Sequence, residues 1–267
     1  MSVLDEIIAK KKLELQALKE FIDEDTLINY IEMSADEPSG FVSFLHRRVK
    51  QGKAAIIAEA KKAAPSLGVL RQSYIPQVIG KNFEANGATC LSVCTEKSFY
   101  QGSIVHLRKI RAASKLPILR MDFLIDEYQV IESRAIGADC VLLVAALLKN
   151  DELLTMTRLA YDLGMDVLIE THNEIEIKRV LSANLPIHMI GINNRTFGGV
   201  DTNINLSLDL VQYVPRDILV VSQSGIGSRE DIKRLRASGI HCFLIGSALM
   251  KAENPALELK KLLEEEK

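Results

Sequence analysis

Two carboxylates stand where an acid or a base would be useful. Glu59 lies in "IIAEAKK", two residues before Lys61, and Glu170 ends "DVLIE", two residues after Leu168. On an extended strand residues i and i+2 share a face, so Glu59 is expected beside an ammonium and Glu170 beside an apolar side chain. A neighbouring cation favours the ionised carboxylate and weakens it as a base, whereas desolvation strengthens it. That contrast makes Glu170 the expected base and Glu59–Lys61 an expected ion pair. Further polar groups close other apolar runs: Asn193 and Arg195 in "IGINNR", Gln223, Ser224 and Gly225 in "VVSQSGI", and Gly246 and Ser247 in "FLIGSAL". The stretch "VVSQSGIGSRED" reads as a strand opening into a turn suited to gripping a phosphate before the next helix begins.

These groups need a scaffold that brings strand ends together. Short apolar, β-branched runs recur at 54–60, 88–95, 116–123, 139–147, 166–171, 187–194, 218–224 and 242–249. Between them lie amphipathic stretches such as "IDEYQVIESRAIG", "DELLTMTRLAYDLG" and "SREDIKRLRASG", and Gly87, Gly137, Gly164 and Gly239 are placed to end helices. Near-continuous apolar strands alternating with helices imply a parallel sheet covered on its outer face. Eight such units predict a (β/α)8 TIM barrel over 1–267, one domain, with residues 1–50 forming extra N-terminal helices that cap it. A doubly wound sheet is disfavoured because no G-x-G-x-x-G follows the first strand. In a barrel, chemistry sits at the C-terminal ends of the strands, and Glu59, Lys61, Asp122, Glu170, Asn193, Arg195, Gln223, Ser224, Gly246 and Ser247 all fall there.

Bulk properties exclude some partners. The 267 residues carry a formal net charge of −2, which gives no reason to expect nucleic acid or an anionic membrane. No apolar run reaches the roughly 18 residues of a spanning helix. The first twenty residues, broken by acids and lysines, read as an amphipathic helix with Leu4, Ile7, Ile8 and Lys11 at helical spacing. Cys90, Cys94, Cys140 and Cys242 lie in apolar runs without a C-x-x-C pair, as buried thiols of a cytoplasmic protein would. The five histidines are scattered and show no metal-ligand spacing.

The chain resembles indole-3-glycerol phosphate synthase over nearly its whole length. The stretches that carry the resemblance are "IIAEAKKAAPSLG", "LSVCTEKSFYQGS", "LPILRMDFLID", "GADCVLLVAALL", "LIETHNEIE", "IGINNRTF", "VVSQSGI" and "FLIGSALM", in that order. The resemblance implies a barrel lyase that closes an indole ring on a carboxyphenylamino-deoxyribulose phosphate with loss of carbon dioxide and water, without metal or organic cofactor. It implies that Lys61 of the E-x-K motif meets the substrate carboxylate, that Glu170 transfers a proton at dehydration, and that Asn193 and Arg195 belong to the pocket. It further implies that Ser224, Gly225, Gly246 and Ser247 form the phosphate cradle.

Three positions depart from the family pattern, and they gather at the pocket. Met121 stands where "KDF" places a lysine general acid, Gln223 where "SESGI" places a glutamate, and Ala64 where "SPS" places a serine. Leu67 and Ser98 differ nearby. Methionine has no proton to donate, and a general acid is worth about 10² to 10⁴ in rate. The leading expectation is therefore an engineered, more apolar pocket serving a carboxylate-base lyase of the Kemp-elimination type. Glu170 would be the base, Met121 a polarisable wall, Tyr100 or Phe99 a stacking partner for an aromatic heterocycle, and Lys61, Ser224 or Gln223 a donor to the leaving oxygen. The alternatives are a weak or inactivated synthase acting on an aryl-amino sugar phosphate, and a non-catalytic binder of a phosphorylated ligand.

Overall fold

A computed structural model of the chain describes residues 3–34, 37–65, 67–195 and 201–264. Ser66, Thr196 and Phe197, from the stretches above, lie outside the described residues, as does the side chain of Leu4. Eight parallel strands close into a barrel in the order β1 (Ala55–Ala60), β4 (Cys90–Cys94), β5 (Ile118–Met121), β6 (Cys140–Val144), β7 (Asp166–Thr171), β8 (Met189–Asn193), β9 (Leu219–Gln223) and β10 (Cys242–Ile245), with β10 returning to β1. All eight fall within the apolar runs read from the sequence. A two-stranded ribbon, β2 (Ala63–Ala64) against β3 (Gly68–Val69), follows β1 and was not foreseen.

The strands are buried on both faces, which explains their unbroken apolar character. Alternate side chains enter two separate cores. Ala55, Ile57, Cys90, Leu119, Cys140, Leu142, Val144, Leu168, Met189, Val221, Cys242 and Leu244 fill the bore. Their neighbours, such as Ile56, Leu91, Val141, Ile169, Ile190 and Phe243, pack outward on the helices. Helix ends follow local chemistry. In α6 (Glu127–Ala135) and α10 (Arg229–Ala237), Asp126 and Ser228 accept N-terminal backbone N–H groups. Gly137, Gly164 and Gly239 take left-handed φ beyond the ends of their helices.

The N-terminal segment divides its work. α3 (Phe41–Lys50) plugs the bottom of the barrel: Phe41 and Leu45 are fully buried in the bore cluster, and the Val42 N–H donates to Asp166 at the start of β7 (2.9 Å). α2 (Glu24–Glu32) packs through Leu27 on Tyr128 and Ile131 of α6. α1 (Val3–Phe21) reaches the opposite rim, where its buried Lys11 lies 2.8 Å from Asp122, just beyond the C-terminal end of β5.

Candidate functional site

The alternation that fills the bore also decides what faces the mouth. Continuing each inward row to the C-terminal strand ends gives Glu59, Met121, Glu170, Asn193, Gln223 and, past the end of β10, Gly246. Two glycines make room for the first shell. A Cβ on Gly246 would overlap the Glu59 carboxylate, and one on Gly191 would overlap the Gln223 amide. Side chains on β1 and β9 therefore fold across glycines on neighbouring strands.

Glu59 meets Lys61 at 2.5 Å, both nearly buried, as strand parity predicts. Glu170 is different. Its forward neighbour on the same face is His172, whose Nε2 lies 3.3 Å from Glu170 Oε1, so the expected apolar surroundings of Glu170 are corrected. The other ring nitrogen, Nδ1, lies 3.3 Å from Glu176 Oε2, and the backbone N–H of His172 donates to the same oxygen at 2.8 Å. Burial works to lower the imidazole pKa, but hydrogen bonds and charge from Glu170 and Glu176 outweigh it and raise it to about 10. The histidine read as one of five scattered residues thus belongs to the site. The i, i+2 rule that picked out Lys61 would have found it.

Met121 packs at the upper end of the bore core, and its carbonyl accepts the Thr95 N–H at 3.0 Å. Asp122, the next residue, necessarily points the other way. Asp122 leaves the mouth: it receives Thr95 Oγ1 at 2.6 Å and pairs with Lys11 and Arg120. Burial opposes its ionisation, yet Arg120 and Lys11 hold its pKa below the usual carboxylate value.

The loop after β4 sets the two aromatic candidates apart. Glu96, buried, accepts the N–H groups of Ser98, Phe99 and Tyr100 at 2.9, 2.6 and 3.0 Å, and so builds the turn. Phe99 turns toward α1, its ring 4.5 Å from Lys10 Nζ. Tyr100 turns toward the mouth, beside Phe123 (6.4 Å between ring centroids). Burial, then the charges of Cys94, Glu59 and Glu170, push its phenol well above the ordinary value. Ala63, next to Ala64 in the ribbon, donates its N–H to the Tyr100 carbonyl at 3.2 Å, so the buried Ala64 lies beside this loop.

On the far side, Asn193 accepts the Arg195 N–H at 3.1 Å, and Arg195 bridges to Thr202. Gln223 is buried, and its Nε2 has no hydrogen-bond partner among the described residues. Ser224 and Gly225 both adopt left-handed backbone (φ 66° and 77°), which turns the chain sharply out of β9. Asn194, which the sequence reading left aside, anchors that turn. Its Nδ2 donates to the Ser224 carbonyl and to Ser222 Oγ at 3.0 Å each, while its Oδ1 accepts from Ser207. Gly246 and Ser247 open α11 (Ser247–Lys251) beside it.

Among the described residues no cluster of three or more His, Cys, Asp or Glu side chains could hold a metal ion. Nor, among the described residues, is any helix long and apolar enough to cross a membrane. The four cysteines are free and buried, and burial raises each thiol pKa. Compared with known families, residues 4–262 match the family model described as indole-3-glycerol phosphate synthase.

Proposed function

The chain belongs to the indole-3-glycerol phosphate synthase family, a family of barrel carboxy-lyases, and we propose that it binds a phosphorylated aryl-amino sugar at the barrel mouth and closes its ring slowly. One observation carries the reading: among the described residues the mouth holds the carboxylates of Glu59 and Glu170, paired with Lys61 and His172, and between their strands β5 presents Met121, which has no proton to give. Lys61, paired to Glu59, is free on its remaining N–H bonds to meet a substrate carboxylate. Glu170 is the group that moves protons. Arg195 and Asn193 flank the substrate, and the turn of Ser224 and Gly225 with Gly246 and Ser247 receives the phosphate through N–H and hydroxyl donors.

A general acid contributes about 10² to 10⁴ in rate. Met121→Lys with Gln223→Glu should therefore raise ring closure at least about 10²-fold, followed by the fluorescence of indole-glycerol phosphate. An unaltered protein that already turns over at an ordinary enzyme's roughly 1 to 10³ s⁻¹ would sink this reading.

A second reading, carboxylate-promoted ring opening of a benzisoxazole, is favoured by the apolar packing of Met121 and the uncharged Gln223 beneath the same mouth. It requires Glu170 to act as a free base, and the His172 contact weakens that requirement. Absorbance of the released nitrophenolate, compared between the protein and Glu170→Gln, separates the two.

A further inference from the structure

Glu170 does not stand alone at the mouth. Behind it runs an unbroken line, Glu170 Oε1 to His172 Nε2 at 3.3 Å, then His172 Nδ1 to Glu176 Oε2 at 3.3 Å. Glu170 and His172 are both nearly buried, so the line has little contact with water. Glu176 is fixed independently of the ring. It sits in the first turn of α8 (Glu174–Ser182), takes the His172 N–H at 2.8 Å and the Asn173 amide at 2.7 Å, and gives its own N–H to the Asn173 side chain. The helix cap thereby aims one carboxylate at Nδ1. An acceptor there keeps the proton on Nδ1 and leaves Nε2 as the nitrogen that gives and takes.

We propose that His172 is the proton reserve of Glu170, oriented by Glu176, and that this pair performs the dehydration step of the lyase reading above, on which the assignment rests. As the C–O bond of the departing hydroxyl breaks with its electrons on oxygen, Glu170 relays the Nε2 proton to that oxygen in the same step, leaving a neutral imidazole and a carboxylate, and water leaves. The resulting carboxylate takes the proton released from the substrate as the new double bond forms, and returns it to Nε2. One water is lost and the pair ends as it began. Because His172 acts through Glu170, it is a positioning residue.

The test has two arms on the full-length protein. In the first, ¹⁵N–¹H spectra of the histidine rings are followed with pH in the unaltered chain and in Glu176→Gln. The proposal expects the His172 ring to stay doubly protonated above pH 8, with the Nδ1 proton bonded, and to lose its proton at lower pH in the variant. A ring that titrates at the ordinary histidine value and ignores Glu176→Gln overturns it. In the second arm, carboxyphenylamino-deoxyribulose phosphate is the probe. His172→Ala should lower kcat at least tenfold with KM unchanged, added imidazole should restore part of the loss, and Glu176→Gln, which keeps the side chain's volume, should lower kcat in the same sense. An unchanged kcat, or a loss that imidazole does not relieve, overturns the proposal. An unaltered chain with no turnover sinks the lyase reading instead, and the ring spectra alone then decide the charge and orientation of His172.

Discussion

At the scale of single residues, the site is governed by which side of a strand a group occupies. Glu59 and Lys61 share a face, and so do Glu170 and His172; both pairs are the same i, i+2 geometry. The first was legible because the partner is a lysine. The second was within reach of the same rule but was missed, because Glu170 was judged by Leu168 behind it and not by His172 ahead of it. The pairing has a consequence for stability. His172 titrates near 10 in the folded protein against about 6.5 in an unfolded chain. Its folded pKa is raised, so the stabilisation is fully present below about pH 6.5 and fades as pH climbs through about 10. Urea unfolding at a series of pH values should show stability falling over that window by an amount on the order of a few kcal/mol. In His172→Gln the decline over the same window should largely vanish. An identical slope in both proteins would place the titrating group elsewhere.

At the scale of elements, the eight strands were readable and their attachments were not. Each barrel strand is buried on both faces, so its sequence is an apolar run that needs no partner to be recognised. The ribbon of Ala63–Ala64 and Gly68–Val69 has two residues a side, too few to show any period. Asp122 was assigned to the mouth because it ends a run, although Met121 beside it must take that face. What decides its fate is Lys11, on a helix at the far end of the chain, which no local pattern connects to β5. Lys11 also bonds Glu14 at 2.8 Å, and Glu14 in turn accepts Ser98 Oγ at 3.1 Å, so α1 is pinned to the loop that carries Tyr100. Removing one partner of a buried ion pair costs about 3–5 kcal/mol, and Asp122 keeps Arg120 and Thr95, so Lys11→Ala should cost toward the lower end. The cleanest reading is limited proteolysis beside a thermal melt. α1 should become cleavable well below the melting temperature, and a variant that melts as before with α1 still protected would show the ion pair to be dispensable.

At the scale of the whole molecule, a closed barrel has no edge strands to protect, but it has two ends, and the two are treated differently. The C-terminal end is left polar, with the Glu59 and Gln223 side chains resting on glycines. The N-terminal end is sealed by α3, whose Phe41 and Leu45 complete the same apolar column that rises through Ile57, Leu119, Leu168 and Val221 to Met121. A substitution at the plug therefore acts on the column that supports the site from beneath. Phe41 is fully buried, and truncating a buried phenylalanine to alanine costs about 3–5 kcal/mol. That loss should fall on the bore as a unit, because every strand contributes to it, so Phe41→Ala should unfold in a single urea transition at lower midpoint with an unchanged slope. The mouth should remain assembled below that transition. The spectrum of the His172 ring, held by Glu170 and Glu176 at the opposite end, should match that of the parent chain. A second, earlier transition, or a His172 ring that has lost its partners while the strands persist, would mean that the plug and the site are coupled more directly than through shared stability.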